Sequence, residues 1–464
     1  MNIPFPDLTP ATPEIIMTIA ATVLLILDLL FKEKGVLAFL TISVAAVTLY
    51  TLPMSAGETF GGMFISDTYS TYFKLIFLIN IILTVLISLK YIKRQQADYG
   101  EYYSLMLFST VGMMLMASAR DFIILYLGLE LMALSTYVLA GIKRHDIKSN
   151  EAAIKYFLLG AFSSALLLYG ISLLYGATTT TDFTKIAAQL QQTGSTPLLT
   201  LAMILIAVAF SFKIAAVPFH MWAPDVYEGA PTSVTAFMSV GPKAAGFAVI
   251  GRVFFSAFQN MQADWTSVLI GIAILTMAVG NILAIAQTNI KRMLAYSSIA
   301  HAGYMLLGII AGTEEGRQAM MTYMMIYAFM NMGAFAIVIL LDKGEEISDY
   351  EGLSKSRPLV AALMLVFMFS LTGIPPTAGF IGKFNIFMAL IRAGYVWLAI
   401  VAVIFSAISA YYYLRVVRNM YMKEMTAEAA INPTPTLSLA LAISVAMVFV
   451  IGIVPSVIPF IKLV

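Results

Sequence analysis

The chain has 464 residues, of which 60% are hydrophobic and 11% are charged, and its formal net charge is +2 at pH 7. Its mean hydropathy is +0.90, and in a soluble domain about 25% of the residues would be charged. This composition excludes a soluble enzyme and predicts a protein embedded in a membrane. Because the chain has no cysteine and only three histidines, we expect no disulfide, iron–sulfur cluster, haem or zinc site in it.

Apolar stretches of about 20 residues, the length that crosses a bilayer as a helix, recur about fourteen times. We therefore predict an all-α polytopic membrane protein with about 14 transmembrane helices. These predicted spans 1 to 14 are 14–32, 35–53, 71–92, 102–119, 121–142, 153–175, 198–223, 231–257, 265–287, 291–311, 317–341, 357–390, 394–420 and 436–461. The connections are too short for a nucleotide-binding domain, so we expect a single membrane domain over 1–464 and no nucleic-acid partner.

The Lys and Arg residues predict the orientation, because they accumulate on the cytoplasmic side of membrane proteins. With the N-terminus outside, 17 of the 27 basic residues fall at inner ends of the spans and 7 at outer ends. We therefore predict a multi-pass protein of the cell (inner) membrane with both termini on the outer, periplasmic side. The three remaining basic residues lie inside spans and are Lys213, Lys243 and Lys383.

Three segments near the membrane boundaries carry weaker signals. The connection 176–197 has apolar residues at helical spacing, Phe183, Ile186, Ala187 and Leu190, which is typical of a short helix on the membrane surface; an ordinary connector is an equally good interpretation. Asp225 and Glu228 are expected to shape the loop that leads into span 8. The three tyrosines at 411–413 are expected to form an interfacial aromatic belt.

Spans 7 and 12 are longer than a bilayer needs, and each carries proline in its middle, Val217-Pro218 in span 7 and Pro375-Pro376 in span 12. Interrupted spans at corresponding places of two halves are typical of inverted repeats. Spans 7 and 12 are five spans apart, and because this number is odd they cross the membrane in opposite directions. We predict two inverted five-helix repeats, spans 4–8 and spans 9–13. The predicted division is N-terminal helices 1–92, first repeat 102–257, second repeat 265–420 and C-terminal helix 436–461. The lysine precedes the prolines in span 7 and follows them in span 12, which a strict duplication does not predict.

Four ionisable side chains lie deep inside spans, where each costs about 2.5 to 3.5 kcal/mol; they are Glu130, Lys213, Lys243 and Lys383. Each lysine is close to a predicted helix break. Pro218 cannot donate to the Ile214 carbonyl beside Lys213. Pro242 likewise frees the Met238 carbonyl, and Lys383 follows the break at Pro375 and Pro376. The sequence therefore predicts polar pockets at membrane depth.

These charges have two interpretations. They are structural if buried ion pairs or snorkelling lysines only hold helices together. However, one well-centred carboxylate cannot neutralise three lysines, and a buried lysine can exchange its proton near neutral pH. We therefore predict a proton-transfer route in which Glu130 stabilises charged Lys213. His301 is either a relay between Lys243 and Lys383 or a packing residue. His220 either caps freed backbone groups or carries protons.

Four motifs resemble those of a known family. They are "FKIAAVPFHMWAPDVYEGAPT" (212–232), "NIKRMLAYSSIAHAGY" (289–304), "EGLSKSRP" (351–358) and "LTGIPPTAGFIGKF" (371–384). Together they resemble the antiporter-like membrane subunits of NADH-quinone oxidoreductase, respiratory complex I, and among these the chain N, or subunit 2, family. The resemblance covers essentially the whole chain.

The resemblance implies a fourteen-helix subunit of the membrane arm of the complex. It implies that Glu130 pairs with Lys213, that Lys243 is a central relay, that Lys383 lies on the outlet side and that His301 lies on the hydrophilic axis. It also implies partner subunits, including further antiporter-like chains, which hold the flavin, the iron–sulfur clusters and the quinone. This chain is expected to hold no cofactor.

The leading hypothesis is therefore a proton-translocating subunit of an NADH-quinone oxidoreductase, a translocase whose redox chemistry takes place in other subunits. The first alternative is a cation/proton antiporter or a subunit of one. The second is a structural membrane anchor whose buried charges only specify packing.

Overall fold

The protein is described by a computed structural model that covers residues 6–31, 33–341, 344–424 and 430–458. Within these ranges it forms eighteen α-helices, α1 to α18: Thr12–Leu30, Gly35–Thr51, Thr68–Arg94, Glu101–Ser118, Phe122–Ala140, Ile147–Thr178, Phe183–Thr193, Pro197–Lys213, Trp222–Gly229, Thr232–Ser256, Gln262–Ile285, Ile290–Ile310, Glu314–Leu340, Leu353–Ser356, Pro358–Thr372, Ala378–Arg392, Val396–Met422 and Pro435–Ile453. A small antiparallel hairpin, β1 (Gly57–Thr59) and β2 (Phe64–Ser66), lies between α2 and α3.

Eleven of these helices, within the described ranges, are long and apolar enough to cross a membrane. Each coincides with a predicted span. The other three predicted spans are 102–119, which forms α4, 198–223, which forms α8 and the first two residues of α9, and 357–390, which forms α15 and most of α16. The predicted all-α polytopic membrane fold is thus confirmed. The total of fourteen transmembrane helices, the domain division and the inverted repeats remain predictions.

Helix starts are specified locally by capping side chains. Eight helices in the described part of the chain begin after a residue whose side chain accepts a hydrogen bond from a backbone N–H of the first turn; these caps are Asp67, Asp121, Asp146, Asp182, Thr196, Asn289, Thr313 and Thr434. Such a cap satisfies a backbone donor that has no partner within the helix, and losing one costs about 1 kcal/mol. The short polar connections therefore set where the spans begin.

Three helices form the centre of the bundle. The most apolar stretches of α10, α12 and α13 are completely buried within the protein, whereas those of α1, α6, α17 and α18 are only about a third buried. Polar side chains within these stretches of the three central helices therefore face other helices and not lipid. Close helix packing elsewhere depends on glycine: a Cβ added at Gly112 of α4 would lie 2.5 Å from the Gly128 carbonyl of α5. Small residues at such contacts are typical of membrane helix pairs.

Spans 7 and 12 are interrupted as predicted. Residues 214–221 separate α8 from α9, and residues 373–377 separate α15 from α16. The peptide bonds Val217-Pro218 and Pro375-Pro376, one in each interruption, are cis.

The predicted break at Pro242 is wrong, because α10 continues through this residue without interruption. Pro242 removes one backbone donor, and the Met238 carbonyl that loses it accepts a hydrogen bond from the Tyr227 hydroxyl at 3.4 Å instead. A single replaced hydrogen bond in a completely buried helix is not enough to end the helix.

The connection 176–197 does contain a helix, α7. Its predicted apolar face, Phe183, Ile186, Ala187 and Leu190, is buried. The face packs on the protein, where α7 contacts α10 and the segment 259–261. The helical spacing therefore predicted the helix and its apolar face correctly. That face packs on the rest of the protein, however, and not on the membrane surface.

Candidate functional site

Lys213 is the last residue of α8, at the start of the first interruption. Its side chain is buried, and its ammonium lies 3.5 Å from the Tyr137 hydroxyl and 5.8 Å from the centre of the Tyr137 ring. The interruption itself is held by specific hydrogen bonds: the Trp222 indole donates to the Phe212 carbonyl at 3.0 Å, and the Val217 amide donates to the Thr276 hydroxyl at 2.9 Å. Two backbone groups of the interruption therefore have side-chain partners beside a buried cation.

Glu130 lies on α5, two helical turns before Tyr137 and on the same face. It is half-buried, and the Ser164 hydroxyl of α6 donates to it at 2.5 Å. Glu130 is close enough to Lys213 for a Coulombic interaction, yet the described residues include no carboxylate within 4.0 Å of this ammonium. The direct Glu130–Lys213 pair implied by the resemblance stays a prediction, and the direct neighbour of Lys213 is Tyr137.

Lys243 lies in the middle of α10, where it is buried. Its ammonium donates to both the carbonyl and the hydroxyl oxygen of Ser298 on α12, each at 2.6 Å. One turn later on α10, a Cβ added at Gly246 would lie 3.7 Å from the Cβ of Lys213. The first two lysines are therefore on facing helices, and Lys243 is anchored to α12.

His301 is buried on α12, one turn after Ser298. Its Nδ1 lies 2.6 Å from the Tyr323 hydroxyl of α13, and its Nε2 lies 3.0 Å from the Tyr413 hydroxyl of α17. The Tyr413 hydroxyl also forms a short hydrogen bond with Ser297, the neighbour of Ser298. The histidine thus has a hydrogen-bonded hydroxyl on each side. The Tyr413 hydroxyl also contacts Ser297, which precedes the Lys243 partner Ser298 in the chain.

Lys383 lies on α16, but its ammonium reaches back to the preceding half-helix. It donates to the carbonyls of Leu371 and Thr372, the last residues of α15, at 3.3 and 2.8 Å, and to the Ser406 hydroxyl at 2.9 Å. It also lies 4.9 Å from the Tyr304 ring centre. The C-terminal end of a helix attracts cations. Lys213 ends α8 and Lys383 binds the end of α15, so both lysines are associated with the same end of a first half-helix despite their opposite order around the prolines.

Tyrosines at 411–413 do not form the predicted aromatic belt. Tyr411 is 60% exposed, whereas Tyr412 and Tyr413 are 0% exposed and hydrogen-bonded inside the bundle. Successive residues of a helix point about 100° apart, so only one of the three can face lipid. Sequence reasoning also missed Tyr137 and Ser298, because a tyrosine or serine inside an apolar span carries no signal that separates a hydrogen-bonded site from ordinary packing.

His220 lies in the interruption between α8 and α9 and is not brought into contact with the lysines by any described hydrogen bond. Its Nδ1 atom is buried and has no hydrogen-bond partner among the described residues. The described ranges contain no group of three or more His, Asp or Glu side chains arranged to hold a metal ion.

Two charged groups outside the lysine series are well paired. Asp225 accepts hydrogen bonds from Lys155 at 2.9 Å and from Arg292 at 2.6 Å. Burial alone would raise the pKa of Asp225, but these hydrogen bonds and charges outweigh it and lower the pKa below its ordinary value. Glu14 of α1 and Lys74 of α3 form a buried ion pair at 2.8 Å. These contacts hold neighbouring helices together. A structural role therefore accounts for these charged residues, and no transport role is needed.

Comparison with known proteins gives consistent matches. The family described as NADH:quinone oxidoreductase/Mrp antiporter, TM, matches residues 119–409. The chain is similar to NADH-quinone oxidoreductase subunit N of Trichlorobacter lovleyi, at 51% identity over 97% of this chain and 95% of that protein. It is also similar to a chain of respiratory complex I from Thermus thermophilus with bound aureothin, with a TM-score of 0.83 and 34% identity over 96% of this chain and 98% of that one. A chain of the Mrp complex from Dietzia sp. DQ12-45-1b shares the fold, with a TM-score of 0.84 and 20% identity over 97% and 95% of the two chains.

Proposed function

We propose, from the premise that this chain belongs to the NADH:quinone oxidoreductase/Mrp antiporter family and within it to the N subunits of NADH-quinone oxidoreductase, that it translocates protons in the membrane arm of such a complex. The chain contributes to the translocase activity of the assembly, and quinone reduction takes place in other subunits. Each proton moved against the membrane potential requires about 2.3 kcal/mol per 100 mV.

One observation carries this proposal. Lys213, Lys243 and Lys383 are all buried, and the described residues include no carboxylate within 4.0 Å of any of the three ammonium groups. Hydroxyls and backbone carbonyls surround them instead. Lysines that only held helices together would be expected in ion pairs, as Lys74 is with Glu14. A buried lysine whose direct hydrogen-bond partners are all neutral is suited to taking up and releasing a proton.

The proposed route runs from Glu130 through Lys213 and Lys243 to His301 and Lys383. Candidate carriers extend from both ends of the segment between Lys243 and His301: Lys243 contacts the Ser298 hydroxyl, and the Tyr413 hydroxyl contacts both His301 and Ser297. Ser297 and Ser298 are adjacent in the chain, but among the described residues no hydrogen bond joins their hydroxyls, so this step also requires water. Internal water would have to complete the longer steps, in particular between Glu130 and Lys213. His220 remains a weaker candidate near the start of this route.

The remaining assignments follow from the family and from the charge distribution. The partners are the other membrane-arm subunits, including further antiporter-like chains, and the surrounding lipid bilayer. The flavin, iron–sulfur clusters and quinone belong to those other subunits, and this chain holds no cofactor of its own. The protein resides in the cell (inner) membrane, with both termini on the periplasmic side, an orientation supported by the bias of Lys and Arg residues.

Replacement of Lys213 by alanine in the assembled complex tests the proposal. In sealed membrane vesicles we expect proton translocation per quinone reduced to be abolished or severely reduced. Lys185→Ala, which removes an exposed lysine of α7, is the matched control and should pump normally. Full pumping by the Lys213→Ala complex would refute the assignment.

The two alternatives predict different results. A cation/proton antiporter would purify without flavin and iron–sulfur subunits and would exchange ions by itself, whereas co-purification with those subunits excludes it. The 51% identity with an N subunit favours the oxidoreductase. A structural anchor predicts that charge-removing substitutions lower assembly while the assembled complex keeps its pumping.

A further inference from the structure

Trp222 joins the two halves of the interrupted span 7. It is the first residue of α9, it is buried, and its indole N–H donates to the Phe212 carbonyl in the last turn of α8 at 3.0 Å. Its ring also packs on the Phe212 ring, with 5.5 Å between the ring centres. Phe212 directly precedes Lys213, and the Phe212 ring centre lies 5.6 Å from the Lys213 ammonium. Trp222 therefore fixes the end of α8 at the point where it presents Lys213.

A second series of ring contacts runs from Trp222 to the other side of Lys213. The indole stacks on the Tyr156 ring of α6, with 4.4 Å between the ring centres and 9° between the ring planes. The Tyr156 ring in turn makes an edge contact with the Tyr137 ring of α5, at 4.7 Å between centres. The Tyr137 hydroxyl lies 3.5 Å from the Lys213 ammonium. Trp222 thus reaches both groups of this contact, through Phe212 on one side and through Tyr156 on the other.

Tyr137 is held closely in this position. A Cβ added at Gly160, one turn after Tyr156 on α6, would overlap the Tyr137 hydroxyl. The side chains of Tyr137, Tyr156 and Trp222 are each at most 6% exposed. Because close-packed interiors transmit displacements, a change of the ring at position 222 should move Tyr137 relative to Lys213.

We propose that Trp222 is a positioning residue for proton exchange at Lys213, and that it keeps the lysine directed at the Tyr137 hydroxyl. A hydroxyl accepts a hydrogen bond from a charged ammonium and donates one to a neutral amine, so this contact suits both protonation states. The distance of 3.5 Å is at the outer limit of a hydrogen bond, and a small displacement would therefore break the contact. This inference rests on the proposed proton route through Lys213.

Trp222→Phe in the assembled complex tests the proposal, with Trp265→Phe as the matched control. Phenylalanine keeps an aromatic ring but removes the indole N–H. Trp265, in the first turn of α11, is also buried, and its indole donates to the Phe258 carbonyl at 3.1 Å. Each variant therefore loses one buried hydrogen bond to a backbone carbonyl, and the two should lower the unfolding temperature by similar amounts.

We expect Trp222→Phe to lower coupled turnover in sealed vesicles about tenfold, because misplacing a reacting group by about 1 Å can cost about 10²-fold. Trp265→Phe should keep the turnover of the unmodified complex. Tyr156→Leu removes the stacked ring from the α6 side and should reproduce the loss, which decides the question if Trp222→Phe fails to assemble. Combining Trp222→Phe with Tyr137→Phe should cost less than the product of the two separate losses, because both act on one contact.

Two results would overturn the proposal. Equal turnover by Trp222→Phe and Trp265→Phe would leave Trp222 a structural role only. Losses that multiply in the double variant with Tyr137→Phe would show that Trp222 acts independently of the Tyr137 contact. Lys213→Ala, measured in parallel, separates this inference from the proton route: full pumping by Lys213→Ala refutes the route, whereas loss of pumping there with normal turnover of Trp222→Phe refutes only the positioning role.

Discussion

Tyr413→Phe removes a single hydroxyl from the proposed proton route. That hydroxyl joins Ser297 to Nε2 of His301, 3.0 Å away, and the aromatic ring that remains still fills its buried position. Its neighbour Tyr411 has the same chemistry but is 60% exposed. Tyr411→Phe is therefore a control that removes the same atom from the same helix without touching the route.

The magnitude follows from the two partners that would be orphaned. An unsatisfied buried polar group costs about 1 to 3 kcal/mol. Tyr413→Phe leaves the Ser297 hydroxyl and Nε2 of His301 without this partner, so each loss should destabilise the protein by about that amount. The gap between them would also become roughly two hydrogen-bond lengths, about 5 to 6 Å, too long for direct proton transfer. A positioned proton-transfer group typically contributes a factor of about 10² to 10⁴, and we expect coupled turnover to fall by at least about 10².

Sealed inverted vesicles provide the assay, with quinone reduction followed optically and proton uptake followed with a pH-sensitive dye. Tyr413→Phe should lose both activities together, and Tyr411→Phe should match the unmodified complex. Adding Ser297→Ala to Tyr413→Phe should restore part of the stability, because one orphaned group is then removed, but none of the pumping. A Tyr413→Phe complex that is less stable yet pumps within about twofold of Tyr411→Phe would refute the relay and leave Tyr413 a purely structural role.

Two further predictions concern the second interruption and the loop into span 8. Gly373 has φ +91°, and a Cβ there would lie 3.0 Å from Cδ of Lys383, whereas Gly394 has φ +87° and open space around it. Gly373→Ala and Gly394→Ala should each cost about 1 to 2 kcal/mol of stability in thermal unfolding, but only Gly373→Ala should reduce pumping; equal pumping by the two variants would contradict the importance of the Lys383 position. Asp225→Asn should lower the unfolding temperature at pH 7, because the pKa of Asp225 is held below its ordinary value and its paired charge stabilises the fold above that value. The difference from the unmodified protein should shrink as the pH falls through the lowered pKa, and a constant difference would show that the charge of Asp225 does not contribute.

Most of the helical architecture could be predicted because hydropathy is a local property. An apolar stretch must form its own backbone hydrogen bonds in a membrane, so the eleven helices that qualify as spans coincide with predicted segments. Proline positions were a less reliable guide. The interruptions at Pro218 and at Pro375-Pro376 were predicted correctly, but Pro242 was not a break, because the Tyr227 hydroxyl compensates for the missing donor. Whether a proline ends a helix depends on a neighbour that the local pattern does not reveal.

The partners of the site residues could not be predicted in the same way. The four buried charges stand out in the sequence because each is costly in an apolar span, and this cost alone identified Glu130 and the three lysines as candidates. That Lys383 binds the last carbonyls of α15, and that His301 lies between Tyr323 and Tyr413, depends on which faces of α12, α13, α16 and α17 meet. Those contacts join residues that are 11 to 112 positions apart. The sequence by itself therefore determined the membrane environment, the helical segments and the unusual charges, since each is a local balance between side chain and lipid. Only the tertiary structure decided their hydrogen-bond partners, because those are set by packing between distant helices.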